Sequence, residues 1–410
     1  MTNKAIDQVA IDWPCADGQL LLGGRTLDAV AAELGSDAFY AYDRGRMEAR
    51  VAALRRALPP CIGLHYAVKA NPLPELVTFM ASLVDGLDVA SRREMQLALN
   101  SGMRAASVSY AGPGKGMQDL RDAVAAGILI NVESPREIER LAQIAAETGQ
   151  TARIAVRVNP AFELRGAGMR MGGGAKPFGI DEEALPALLP TLQRPGLRFE
   201  GFHLYCGSQS LNASAIAESL QQGYALALRL AAWAPAPVLS LNLGGGLGIP
   251  YFPGERPLDL APIAAALDKI ATDAAMQMPQ ARLHLELGRY LVGEAGIYAT
   301  RIVDRKVSRG ETFLITAGGM NHHLAASGNL GQVIRKNYPV VIGNRLEGSE
   351  LERVHIHGPL CTPLDVLAQG VVLPRAEPGD WVVVFQSGAY GYSASPHGFL
   401  SQPLPSEILT

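Results

Sequence analysis

Leu64 to Pro72 reads Leu-His-Tyr-Ala-Val-Lys-Ala-Asn-Pro, and in it an apolar run stops at a single lysine, Lys69. The run is the first of eight short apolar stretches, at 62–67, 86–89, 107–111, 128–132, 153–158, 198–205, 238–243 and 282–286. Each is followed by a helix-like segment or a Gly-rich loop. Pro135 to Thr148 is one such helix, with Ser134 as its N-cap and Pro135 at its first position; Asp119 to Ala126 is another. Strands that alternate with helices imply a parallel sheet with right-handed crossovers, and eight repeats predict an α/β fold, a (β/α)8 barrel. A doubly wound open sheet is the structural alternative. The placing of polar residues favours the barrel. Lys69, Asp88, Ser208, Gly244 and Glu286 all fall at or just beyond the C-terminal end of a run, on the face where barrels build active sites.

The chain of 410 residues exceeds the ~250–300 at which a single core stops growing, so two domains are expected. Past Glu286 the pattern changes to β-rich runs without regular helices: Ile297 to Val307, Glu311 to Ile315, Val354 to His357 and Trp381 to Phe385. The expected division is a segment 1–35 packing with the β domain, a barrel over 36–286 and a C-terminal β domain over 287–410. The stretch 318–340, rich in Gly, His and Asn, reads as a long functional loop. With 48% hydrophobic and 18% charged residues the composition is that of a globular chain. A net charge of -3 without long runs of one sign gives no footprint for nucleic acid or anionic lipid and favours a small-molecule substrate. Cys15, Cys61, Cys206 and Cys361 are far apart, which argues against a structural zinc site or a disulfide scaffold; no metal is expected, and a reducing cytoplasm fits. Met1 to Gly18 lacks the continuous apolar segment of a secretory signal, and no run is long enough to span a membrane.

Among the candidate residues, Lys69 is either a surface lysine capping a strand or a desolvated amine able to form a Schiff base with an aldehyde, of which pyridoxal phosphate is the usual one. Gly244, Gly245 and Gly246 follow the seventh run. They are either a flexible turn or a cradle whose N–H groups meet a phosphate, as loops after strands seven and eight of barrels do. Arg289 can add a bidentate charge. Glu286 either faces a pyridine nitrogen, keeping it protonated, or forms a structural ion pair with Arg289. Cys361 lies in His-Gly-Pro-Leu-Cys-Thr-Pro-Leu-Asp and reads on its own as a small hydrophobe. Gly388, Ala389 and Tyr390 form a turn ending in a phenol that donates to a phosphate or packs.

Taken together these motifs resemble the fold-type III pyridoxal phosphate decarboxylases, the family of ornithine, arginine and diaminopimelate decarboxylases. The matching segments are His65 to Pro72, Gly86 to Ser91, Gly207-Ser208-Gln209, Gly244 to Gly246, Glu286 to Arg289, Gly358 to Asp365 and Gly388 to Tyr390, in the family order. The resemblance implies that Lys69 carries the cofactor, that Glu286 meets the pyridine nitrogen, and that Ser208, Gly244, Gly245, Gly246, Arg289 and Tyr390 hold the phosphate, with Asp88 and Arg157 near the ring. It further implies a homodimer with shared sites, in which Cys361 reaches the opposite subunit's site and protonates the α-carbon after carbon dioxide leaves.

Three departures stand out. Where the family usually has the histidine that stacks on the cofactor, this chain has Tyr205, with His203 two residues earlier; either ring is a candidate. Thr362, after Cys361, replaces an acid that pairs with the distal ammonium of basic substrates, and Ala317 stands where an Asp is common. A site built for an ammonium leaves that charge unpaired without its acid, so these changes argue against free ornithine, lysine or diaminopimelate. His322, His323 and the Asn329 to Asn344 loop resemble the subgroup of the butirosin-type decarboxylase, which acts on an acyl-carrier-bound glutamyl group, and of exosortase-associated decarboxylases. Thr362, Asp365, His322 and His323 are the candidate substrate contacts, and an amino acid or an aminoacyl group on an acyl-carrier protein is the expected substrate. The alternatives are a diaminopimelate, lysine or ornithine decarboxylase proper, a racemase on the same fold, and a non-catalytic regulatory homologue.

Overall fold

A computed structural model describes residues 13–410 apart from 331, 333 and 334. Two compact units are present, one formed by Glu48–Ile249 with Pro257–Leu291 and the other by the described residues up to Met47 with Pro250–Arg256 and Val292–Thr410. Of the N-terminal segment expected to pack with the β domain, residues 1–12 lie outside the described residues.

In the first unit the eight apolar runs are eight parallel strands: β1 Gly63–Ala67, β2 Gly86–Val89, β3 Val108–Tyr110, β4 Leu129–Val132, β5 Ala152–Asn159, β6 Leu197–Leu204, β7 Ser240–Asn242 and β8 Arg282–Leu287. Each pairs with the next, and β8 closes onto β1 through His284 to Gly63 and Glu286 to His65, so the sheet is a barrel. β2 and β4 are buried along their whole length, as strands covered on both faces must be. Local chemistry sets the helix ends. The side chain of Ser91 accepts the N–H of Glu94, and that of Ser134 the N–H of Glu137. Gly127 and Gly149, with φ of 70° and 68°, end their helices in the left-handed conformation that a β-carbon disfavours. The helix read from Asp119 begins earlier, at Met117, because the Asp119 carboxylate accepts the N–H of Gly116 and closes the first turn.

β6 is kinked where its pairing with β5 slips between Phe199 and Gly201. At Gly201 φ is +151°, and a β-carbon there would stand 1.8 Å from the carbonyl oxygen of Ser240 on β7.

In the second unit the central strand Gly296–Ser308 is flanked by Glu311–Thr316, Trp381–Val384 and Ala38–Tyr42, and the last of these also pairs with Ser406–Leu409. Leu351–His357 and Val366–Pro374 extend the sheet. One face buries Trp13, Leu20, Leu22, Leu27, Phe39, Trp381 and Phe385 in a single cluster, which fixes the described part of the N-terminal segment to the sheet. The stretch read as a long loop contains a strand at its end: Val340–Ile342 pairs with Trp381–Val384.

The expected substrate contacts His322 and His323 lie inside this unit. His322 Nδ1 is 2.9 Å from the Tyr298 hydroxyl and Nε2 is 2.7 Å from the Pro403 carbonyl. His323 Nε2 is 2.9 Å from Ser387 Oγ, and its Nδ1 accepts the N–H of Ala326. The His322 ring meets Tyr298 edge-on and the His323 ring sits among Tyr40, Tyr298 and Tyr338, at 2% and 0% exposure. With every ring nitrogen engaged, both rings are tied into the fold of this unit.

Two outcomes follow for stability. G201A should lower the free energy of unfolding by about 2–4 kcal/mol, since neither backbone can retreat without breaking the ladder; a denaturant midpoint equal to wild type would contradict the placement. Burial lowers His322 from 6.5 to about 4 and His323 to about 3. The unfolded chain therefore binds more protons than the fold from about 6.5 down to about 4 at His322 and about 3 at His323, and stability should fall as pH drops through that window. Replacing His323 by Gln should reduce the slope of stability against pH by about 1 kcal/mol per unit, and the slope, not the midpoint, is the quantity to compare.

Candidate active site

At the C-terminal end of the barrel the last turns of β1 and β8 bring a lysine to a carboxylate. Lys69 lies in the single 3-10 turn that follows β1, and its Nζ is 3.0 Å from Glu286 Oε1. The other oxygen of Glu286, Oε2, is 3.0 Å from His203 Nε2 and accepts from Asn242 Nδ2 at 3.4 Å. Glu286 is 3% exposed at its side chain and Lys69 36%, so the pair is buried on the acid side and open on the amine side. Burial alone would raise the Glu286 carboxyl; the charges and hydrogen bonds of Lys69 and His203 outweigh it and hold the group ionised, well below the usual carboxylate range. Tyr205 presents its ring face to the lysine, with Nζ 4.9 Å from the centroid.

The glycine triplet lies against the same carboxylate's backbone. Gly244 and Gly246 have φ of +77° and +86°, and a β-carbon on Gly245 would stand 2.2 Å from the carbonyl oxygen of Glu286. No other residue fits. The loop is pinned by the Gly244 N–H to Asn242 Oδ1 at 2.8 Å and by the Ser210 N–H to the Gly246 carbonyl at 2.9 Å. Gly207–Ser208 pairs antiparallel with the short strand Met169–Arg170.

Asp88 and Arg157 each stand in a network of their own. Asp88 Oδ1 accepts from Ser109 Oγ, which in turn accepts from Asn131 Nδ2, and His65 Nδ1 is 3.3 Å away. The His65 ring stacks on His284 at 4.1 Å. Burial would lower His65, but the charge and hydrogen bond of Asp88 raise it above its ordinary value. Arg157 Nη1 is 2.9 Å from Glu133 Oε1, and Glu133 also accepts the N–H groups of Gly112 and Gly179. Lys115 and Glu137, both buried, pair at 2.8 Å behind it. Sequence reasoning missed Glu133, Asn242, His65 and His284. The available signal was a polar residue inside an apolar run, as in Leu-Asn-Leu at 241–243 and Leu-His-Leu at 283–285.

The remaining candidates are in the β unit. Cys361 is exposed, and Tyr390 has a left-handed φ of 55°. Asp365 is buried and accepts the N–H groups of Met320 at 2.6 Å and Leu360 at 2.8 Å. The carboxylate expected to meet substrate thus holds the turn that carries Cys361 and Thr362. Among the described residues no group of three His, Cys, Asp or Glu side chains could hold a metal ion, and no helix is long and apolar enough to cross a membrane.

The barrel end fits pyridoxal phosphate on its own geometry. It offers an amine beside a buried anion, a loop whose backbone excludes side chains, and two buried polar atoms, Asp88 Oδ2 and His203 Nδ1, without a hydrogen-bond partner among the described residues. Comparison with known proteins agrees. The family model described as pyridoxal-dependent decarboxylase, pyridoxal binding domain, matches residues 44–293. The chain is 39% identical over 377 residues to the L-glutamyl-[BtrI acyl-carrier protein] decarboxylase of Niallia circulans, covering 90% of this chain and 88% of that one. It is 33% identical to the diaminopimelate decarboxylase of Aquifex aeolicus, covering 96% and 91%. The crystal structure of the Helicobacter pylori diaminopimelate decarboxylase complexed with L-lysine superposes with a TM-score of 0.83 at 26% identity, covering 93% of this chain and 94% of that one. Barrel, lysine, carboxylate and sequence kinship together make this chain a member of the fold-type III pyridoxal-dependent decarboxylases.

Proposed function

We propose that the chain decarboxylates an amino acid whose far end is not a free ammonium, with a glutamyl group on an acyl-carrier protein as the leading substrate. The Lys69–Glu286 pair at 3.0 Å is the observation that carries the chemistry. Pyridoxal phosphate, when bound, supplies the electron sink for the pair left behind as carbon dioxide departs. Lys69 would hold the cofactor through its amine, and Glu286, ionised and buried, would meet its pyridine nitrogen. Tyr205 covers one face of the ring. The lysine's position over the phenol supports this reading, as does the contact of His203 Nε2 with Glu286. Asp88 and Arg157 border the ring. Gly244, Gly245, Gly246, Ser208 and Arg289 receive the phosphate, with Tyr390 as the donor that the family resemblance adds. Cys361 Sγ, exposed, delivers a proton to the substrate α-carbon in the opposite subunit of a homodimer, and the protein works in the cytoplasm.

The substrate reading rests on the segment from Gly358 to Asp365. Its one carboxylate, Asp365, is spent on backbone N–H groups, and Thr362 and Ala317 offer no anion for a distal ammonium. A relative of this chain is the glutamyl-carrier decarboxylase of Niallia circulans, which supports the tethered substrate. The diaminopimelate decarboxylase reading has relatives in its favour too, but it needs an acid where this chain has none free.

Borohydride treatment of the purified protein should fix the cofactor to Lys69 and to no residue of K69A, whose turnover should fall by about 10²–10⁴-fold. Retained covalent labelling in K69A would assign another lysine. Carbon dioxide release should be faster from glutamyl-loaded carrier protein than from free glutamate, lysine, ornithine or diaminopimelate by about 10²-fold or more. Rapid release from free lysine or diaminopimelate would falsify the substrate reading, and loss of optical activity without gas would make the enzyme a racemase.

A further inference from the structure

The register of the barrel sets His203 on β6 opposite Asn242 on β7, and Asn242 opposite His284 on β8, two residues before Glu286. His203 and Asn242 therefore start level on neighbouring strands and converge on one atom, Oε2 of Glu286. His203 is 1% exposed and Asn242 3%. An ionised carboxylate only accepts, so His203 donates from Nε2. The terminal torsion of a glutamate is broad and nearly two-fold, and nothing in the side chain itself decides which oxygen faces which neighbour. Two donors on Oε2 decide it. We propose that His203 is a positioning residue which, with Asn242, clamps Oε2 of Glu286 and dedicates Oε1 to the Lys69 side of the site; the inference rests on the reading of Glu286 as partner of the pyridine nitrogen.

The alternative use of His203, as the ring stacked on the cofactor, does not suit its orientation. Its ring centre is 6.4 Å from that of Tyr205 and tilted by 46° to it, and its Nε2 edge is committed to Glu286. The phenol has the face towards Lys69 and the imidazole has the edge towards the acid. Asn242 ties the clamp to the phosphate cradle as well, since its Oδ1 accepts the Gly244 N–H while its Nδ2 reaches Glu286. One side chain thus holds both the acid and the glycine loop in register.

The test compares the wild-type holoenzyme with H203M, which keeps the bulk and loses the donor, and H203Q, which keeps a donor. In H203M the dissociation constant for pyridoxal phosphate should rise about tenfold or more, as for loss of a charge-assisted hydrogen bond. The pH midpoint of the bound cofactor's visible absorbance should move by about one unit or more. H203Q should recover most of both. H203M matching wild type in both readouts, or H203Q as impaired as H203M, would overturn the clamp. E286Q is run beside them. If it leaves the absorbance midpoint unmoved, the reading of Glu286 fails, and the clamp is then judged on the carboxylate itself in protein stripped of cofactor. There the infrared absorption of protonated Glu286, identified by its loss in E286Q, should appear about one pH unit higher in H203M than in wild type. Equal midpoints would overturn the clamp independently.

Discussion

A buried, ionised carboxylate is the constraint from which this barrel's polar end is built. Removing Glu286 from water carries a penalty of several kcal/mol unless charges and donors replace its hydration. Three strands supply the replacement. β1 ends in the turn that carries Lys69, β6 contributes His203 and β7 contributes Asn242, so the acid on β8 has a donor from each direction in which the barrel offers one. None of these side chains could serve without the closed sheet, because Lys69 and Glu286 are 217 residues apart in the chain and meet only where β8 pairs with β1. The chemistry and the closure of the fold are thus one requirement.

The same economy governs the backbone around the acid. Gly245 passes so close to the Glu286 carbonyl that any side chain would collide, and the β-carbon of Gly288 would stand 2.9 Å from Ala70 Cβ. Glycine is required at both positions by the approach of neighbouring strands, and the resulting cradle lies beside the lysine without further design. The rim beyond it is organised as separate, locally neutral groups: Asp88 with His65, and Arg157 with Glu133 backed by Lys115 and Glu137. Burial would raise the Glu133 carboxyl, yet Arg157 and Lys115 hold it below its ordinary value. Arg157 and Glu133 are thus satisfied nearby, while one oxygen of Asp88 stays without a partner among the described residues.

Sequence reading reached the barrel because its signal is local: eight apolar runs of strand length, each followed by a turn, became the eight strands. It singled out Lys69, Glu286 and the glycine loop, which the barrel brings together, because those residues stand at the ends of runs, where polarity breaks the pattern. It did not reach Asn242 or Glu133, whose work depends on which neighbour lies across the barrel, a matter of register that spacing along one strand does not encode. The surroundings of His322 and His323 were hidden for a related reason. Adjacent histidines in a Gly- and Asn-rich stretch look exposed, but both are buried, His322 against Tyr298 and His323 among Tyr40, Tyr298 and Tyr338. Tyr205 was legible as a departure, and only the position of the lysine over its face gave it a role distinct from that of His203.

The barrel end and the turn from Gly358 to Asp365 use their carboxylates differently. At the barrel end Glu286 is matched by Lys69, His203 and Asn242. Choice is expressed where an unmatched charge would be tolerable only with the right partner. In the turn from Gly358 to Asp365 the acid is directed inward to the N–H groups of Met320 and Leu360, and burial raises its carboxyl while those donors only partly offset the effect. A carboxylate so placed cannot swing out to an ammonium without abandoning the backbone that shapes the turn. What the turn presents instead is an exposed thiol, Cys361, beside the neutral hydroxyl side chain of Thr362.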